Sequence, residues 1–135
     1  MFRSQIVPAA APLVRVQRPA QRPFFFSRAM TSASNSKRKE FLCIMPDRPD
    51  VLAKRKKAKS GHYQGIQPLI AAGKLVDGGA IFAEHPQEGK DPQFLGSVVV
   101  YTGESIEDVR QIIKNDIYAT SGVWDIEKVQ IYPVS

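Results

Sequence analysis

Only one cysteine, Cys43, stands among the 135 residues. No intrachain disulfide can form, and CxxC redox or metal motifs are excluded. Cys43 alternates with Phe41 and Met45 in a short apolar run, the setting of a buried, inert thiol rather than a nucleophile. Histidine is nearly as scarce. The two present, His62 and His85, lack metal-ligand spacing, and no metal is expected. His85 lies in "EHPQEGKDP", which reads as a surface loop. No apolar stretch reaches the roughly 20 residues of a membrane span, so no membrane partner is expected. Glycine-rich phosphate loops, a GxSxG elbow and internal repeats are absent as well.

Acid is missing from one end of the chain. The net charge is +6, from 19 basic and 13 acidic side chains. Residues 1–39 carry eight of the cations and no acid, which leaves 11 cations against 13 acids in the rest. A basic protein thus resolves into a slightly acidic domain behind a basic leader, which removes the global case for polyanion binding. The leader is rich in Arg, Ala, Pro and Ser and has no secretory apolar region. In "RPFFFSRAMTS", Arg22 precedes an aromatic run and Ser27 follows Phe24 by three, a pattern similar to two-step mitochondrial processing sites. Residues 1–39 are therefore expected to be a disordered mitochondrial targeting segment leading to the matrix. Met30 offers a second start that would give a cytoplasmic form.

The remaining cations cluster in "LAKRKKAKSGHY", where Lys54 to Lys57 and Lys59 lead up to His62. The run matches a loose nuclear-import pattern. It has no interleaved aromatics for stacking bases, so no nucleic-acid partner is expected. A solvated helix face and an anchor for a small anion are the two other readings.

Residues 40–135 alternate between strand and helix signals. "EFLCIMP" (40–46) has the length of a buried strand, and Asp47 to Lys57, beginning "DRPD", reads as a turn feeding a short helix. Lys59-Ser60-Gly61 then interrupts, with Ser60 as N-cap of a second helical piece from His62 to Ala72, bent at Pro68 and ended by Gly73. In that piece Tyr63, Ile66 and Ile70 share a face. Residues 74–84 and 93–103 read as strands. Residues 105–116 read as a helix, with Ser105 and Asp108 at capping-box spacing and Val109, Ile112 and Ile113 as its apolar stripe. Residues 123–134 read as the last strand. The order β-α-β-β-α-β predicts an α+β ferredoxin-like plait. Two helices cover only one face of its sheet, and face-to-face homodimerisation would cover the other.

At this point the chain resembles the YCII-related family, small plait proteins of the dimeric α/β-barrel type, over nearly all of residues 41–134. The carriers are the basic segment ending in His62, the "AAGKLVDGGA" turn and strand, "FLGSVVV", and "NDIYATSGVW" with the closing strand. Lys59 stands where the family usually has arginine, keeping the charge without the forked donor geometry. Ile117 stands where proline is usual. The resemblance implies an active site built on a histidine and an aspartate. The histidine maps to His62, and the aspartate to Asp47 or Asp116. It also implies substrate contacts from Arg55, Lys59, Gly79, Ser97 and Tyr118. Gly78-Gly79 reads first as a β-bulge and otherwise as a point of close substrate approach, while Trp124 and Tyr118 read as pocket lining or dimer core, with core favoured for Trp124.

Histidine exchanges a proton near neutral pH at little cost. An aspartate at its ring favours the charged form and fixes the tautomer, while a helix N-terminus disfavours that form. Arg55 and Lys59 would offset the charge of a carboxylate, phenolate or enolate. The expected function is a cofactor-free enzyme doing acid/base chemistry, an isomerisation or elimination, on a small anionic metabolite. The alternative is a non-catalytic small-ligand-binding or dimeric assembly module.

Overall fold

The computed structural model describes residues 38–135. The targeting segment expected over 1–39 lies outside the described residues, apart from its last two positions.

Strand β1 (Lys39–Pro46) buries Phe41, Cys43 and Met45 on one face and leaves Leu42 and Ile44 half-buried on the other. The alternation follows from the two-residue period of a strand. Strand β3 (Phe94–Gly103) lies antiparallel to it, with Cys43 opposite Val99 and Met45 opposite Ser97. Strands β2 (Leu75–Phe82) and β4 (Gln130–Val134) flank this central pair, giving the antiparallel order β2-β3-β1-β4. Helices α1 (Leu52–Ala71) and α2 (Ile106–Asn115) follow β1 and β3 in the chain, completing the expected βαββαβ plait. Between them the helices and sheet enclose Met45, Tyr101, Val109, Ile113, Val123 and Trp124, all essentially inaccessible. Gly96 faces Pro46 across β1 and β3, where a Cβ would collide with the Met45 carbonyl oxygen. Only glycine allows that approach.

Two helix ends follow from the sequence. Ser105 Oγ accepts from Asp108 N at 3.3 Å and opens α2 as an N-cap. The Asp108 carboxylate reaches back to Glu104 N at 3.0 Å, one residue earlier than in a standard capping box. Gly73, at φ 69°, closes α1 in a Schellman turn, with Lys74 N donating to Leu69 O and Gly73 N to Ile70 O.

Two expectations are corrected. The break at Lys59-Ser60-Gly61 does not exist, because α1 runs unbroken through it and through Pro68. Ser60 does not cap α1, and His62 sits in mid-helix, away from the N-terminus of α1. The buried face of α1 carries Arg55, Ala58 and Ile66, with Tyr63 and Ile70 about half exposed. The closing strand is also shorter than expected. Trp124 pairs with Asp47 in an isolated bridge, a 3-10 turn spans Ile126–Lys128, and only then does β4 begin. The outer face of the sheet stays apolar, with Leu42, Ile44, Val98 and Val100 half-buried and Tyr132 49% exposed.

Candidate active site

Arg55 and His62 are seven residues apart on α1, two turns along one face. Each meets a carboxylate. Arg55 Nη1 donates to Asp47 Oδ1 at 2.6 Å and Oδ2 at 2.8 Å, with both side chains nearly inaccessible. Asp47 lies just past β1, so the turn into α1 brings acid and base together. Arg55 Nη2 donates to Ser97 Oγ at 3.0 Å, and Trp124 Nε1 donates to the same oxygen at 3.2 Å. The guanidinium carbon lies 4.4 Å from the Phe94 ring centre and 4.8 Å from that of Tyr118, a cation–π arrangement.

His62 Nδ1 lies 2.8 Å from Asp116 Oδ1 and 2.9 Å from Oδ2. Asp116 ends α2 and caps the short helix α3 (Ile117–Thr120), accepting from Tyr118 N at 2.8 Å. The α3 segment faces α1 at Gly61, where the tip of the flexible Ile117 side chain occupies the space beside the glycine. A Cβ there would lie 2.9 Å from Ile117 Cδ1. The Tyr118 ring stacks on His62 at 4.1 Å, and Trp124 meets the imidazole edge-on at 5.9 Å.

Burial decides the ionisable groups around this network. It pushes the Asp47 carboxyl up from the usual aspartate range, and the Arg55 charge and hydrogen bond oppose the rise without cancelling it. Burial also raises the Tyr118 hydroxyl, again against Arg55, so Tyr118 stays a phenol at neutral pH. Cys43 is fully buried and its thiol is pushed up to about 12. It is not a nucleophile at physiological pH.

Chemically, the two pairs differ. Arg55 is neutralised within the protein and cannot serve as a free anion anchor. Asp116 fixes the imidazole with Nδ1–H donating to it, which makes Nε2 the basic nitrogen of the neutral ring. Nε2 has no hydrogen-bond partner among the described residues. A cavity of about 560 Å³ lies beside His62, between α1 and strands β2 and β3. Its volume suits a small molecule. Tyr118, Phe94 and Phe82 give it aromatic walls, and Ser97 and Gly79 also line it. Lys59 lies at the same cavity with its Nζ 5.9 Å from the Tyr63 ring centre and no carboxylate partner among the described residues. A larger groove of about 980 Å³ borders the other side of α1, where His62 and Asp116 form part of the wall. Among the described residues no group of three or more His, Cys, Asp or Glu gathers to hold a metal.

The structure thus brings His62, Asp116, Tyr118, Arg55, Asp47 and Ser97 into one connected network. Of the two candidate aspartates, Asp116 lies on the imidazole and Asp47 on Arg55. Lys59 and Gly79 line the cavity without joining the network. Sequence reasoning missed two members. One is Phe94, which shelters the guanidinium, and the other is the donor role of Trp124, weighed as core or pocket lining, toward Ser97. Neither has a local sequence signal, since each acts through a partner at least 27 residues away.

Comparison with known proteins agrees with this architecture. A family model described as the YCII-related domain matches residues 40–135. Fusaric acid biosynthesis protein 2 of Gibberella moniliformis is 41% identical over 98 residues, covering 73% of this chain and 94% of that protein. The aspartate kinase FUB3 of Fusarium oxysporum f. sp. lycopersici is 43% identical over 95 residues, 70% of this chain. The match spans only 18% of the kinase's length. Among solved structures, 5-chloro-2-hydroxyhydroquinone dehydrochlorinase from Burkholderia phenoliruptrix AC1100, in complex with 2,5-dihydroxybenzoquinone, superposes with a TM-score of 0.59 at 25% identity. The superposition covers 71% of this chain and 93% of the dehydrochlorinase.

Proposed function

The chain belongs to the YCII-related domain family, and from that premise we propose that it is a cofactor-independent enzyme acting on a small, oxygenated, anionic metabolite by proton transfer. His62 Nε2 takes a proton from the bound molecule and returns it, or delivers it to a leaving group, while Asp116 holds the ring and stabilises the imidazolium. Lys59 balances the ligand's charge, and Gly79, Ser97 and Tyr118 contact it. Asp47 acts at one remove, by holding Arg55. The observation that carries this reading is an imidazole tied to a carboxylate at 2.8 Å, with its second nitrogen unpartnered among the described residues beside a cavity of ligand size. The dehydrochlorinase bound to a dihydroxybenzoquinone and the fusaric acid biosynthesis proteins support a small-molecule substrate.

The test is turnover of a panel of hydroxylated quinols, beginning with chloride release from 5-chloro-2-hydroxyhydroquinone. His62→Ala should lower the rate by about 10²–10⁴-fold, the usual contribution of a positioned acid/base. An unchanged rate in that variant defeats the assignment. Binding without turnover of any panel member favours the non-catalytic alternative.

The same proposal includes a homodimer closed over the outer sheet face, where Leu42, Ile44, Val98, Val100 and Tyr132 present unpartnered apolar surface. Val100→Lys should shift sedimentation from dimer to monomer, and an unshifted dimer means that another surface mediates it. Import into the mitochondrial matrix is the third part, supported by the acid-free leader. A fluorescent fusion to residues 1–39 that stays in the cytosol overturns it.

A further inference from the structure

Ser97 is the one hydroxyl in the network that two obligate side-chain donors share. Its Oγ accepts from Arg55 Nη2 at 3.0 Å and from Trp124 Nε1 at 3.2 Å. A guanidinium and an indole N–H can only donate, and a hydroxyl oxygen has two lone pairs. Both are therefore occupied, and the hydroxyl proton has to be given to something else. No acceptor for it exists among the described residues. Ser97 is 5% exposed, and it lines the cavity beside His62. The proton can only meet whatever fills that cavity.

We infer that the Ser97 hydroxyl is an obligate donor that selects an acceptor oxygen, a carbonyl or an oxyanion, on the bound molecule. This rests on the reading of the cavity as a small-molecule site and narrows its ligand class. An amino group at the same point would set donor against donor, leaving a buried polar contact unmade. The cationic guanidinium behind the oxygen polarises the O–H bond and strengthens its donation. Asp47, Arg55 and Trp124 are the positioning residues. Asp47 aims the guanidinium, and Arg55 with Trp124 denies Ser97 any acceptor role. The arrangement also gives the buried Arg55–Asp47 pair a use that anion binding does not, since its charge is already matched internally.

The probe is 2,5-dihydroxybenzoquinone, whose carbonyl and ionised hydroxyl oxygens are acceptors. Calorimetric titration of the full chain should show about ten- to hundredfold weaker binding in Ser97→Ala than in the wild type. Equal affinity in a folded variant overturns the inference. Ser97→Ala strands two buried donors and can fail to fold. A ligand-free crystal structure of the wild-type chain then decides: a water within hydrogen-bond distance of Ser97 Oγ on the cavity side supports the donor, and a protein carbonyl there removes it. A wild type that binds no quinone at all counts against the proposed substrate class, and the same crystal structure still judges the hydroxyl.

Discussion

Helix α1 carries two acid–base pairs two turns apart, and they are built to opposite ends. At Arg55–Asp47 the side chains are 6% and 4% exposed, and the guanidinium is ringed by Asp47, Ser97, Phe94 and Tyr118. At His62–Asp116 the side chains are 14% and 6% exposed, and one ring nitrogen has no partner among the described residues. A buried pair with its charges matched fixes geometry. A pair with one open position can do chemistry. Tyr118 stands between them, against the guanidinium and stacked on the imidazole, so the rigid pair sets the platform on which the reactive one rests.

The comparison breaks most severely at the acid of the rigid pair. Asp47→Ala leaves the Arg55 charge buried without a counterion, and stability should fall by about 3–5 kcal/mol, read by urea denaturation. A loss below about 1 kcal/mol would mean that the pair is solvated and fixes nothing. Asp116→Asn should do the reverse. Asparagine caps a helix about as well as aspartate, so stability should change by less than about 1 kcal/mol. The rate should nonetheless fall by about tenfold or more, because the amide cannot stabilise an imidazolium. A large loss of stability with unchanged specific activity of the folded variant would erase the distinction between the two pairs.

The smallest effect is at the ring between them. Burial raises the Tyr118 hydroxyl above the ordinary 10.0, so the unfolded chain loses that proton first. The sign follows from linkage: as pH rises through 10 toward the folded value, the folded state binds more protons and stability declines. Tyr118→Phe should flatten this part of the alkaline limb, leaving stability at pH 7 within about 1 kcal/mol. An identical alkaline profile would assign the limb to Cys43 and Tyr101, which burial raises in the same direction.

Much of the scaffold was legible because it rests on local rules. The alternation of Phe41, Cys43 and Met45, the Ser105 cap and the Gly73 stop each encode their element within a few residues. Helix α1 was misread for a physical reason. Its buried face includes Arg55 and faces a cavity at His62, so the apolar period that marks a helix is diluted there. Ser60-Gly61 imitates a start signal, although the glycine lies in mid-helix facing the Ile117 side chain. The closing strand was overextended because Val123 and Trp124 are apolar for the core rather than for the sheet. Of the candidate site, the residue set was readable from the family's spaced motifs, whereas its pairing was not. Which aspartate meets which base depends on the β1–α1 turn, where Asp50 takes a φ of 55°, and on the α2–α3 corner at Asp116.

The buried, chemically silent thiol has a practical corollary. The chain is already a blank background for site-directed labelling, since its one native sulfhydryl is inaccessible and stays protonated. Among the described residues, a Cβ built at Gly65, beside the larger groove, meets nothing within 4 Å beyond its own helix backbone and chain neighbours. A cysteine introduced there would be the sole attachment point for a spin label or fluorophore reporting on the helix that holds both pairs.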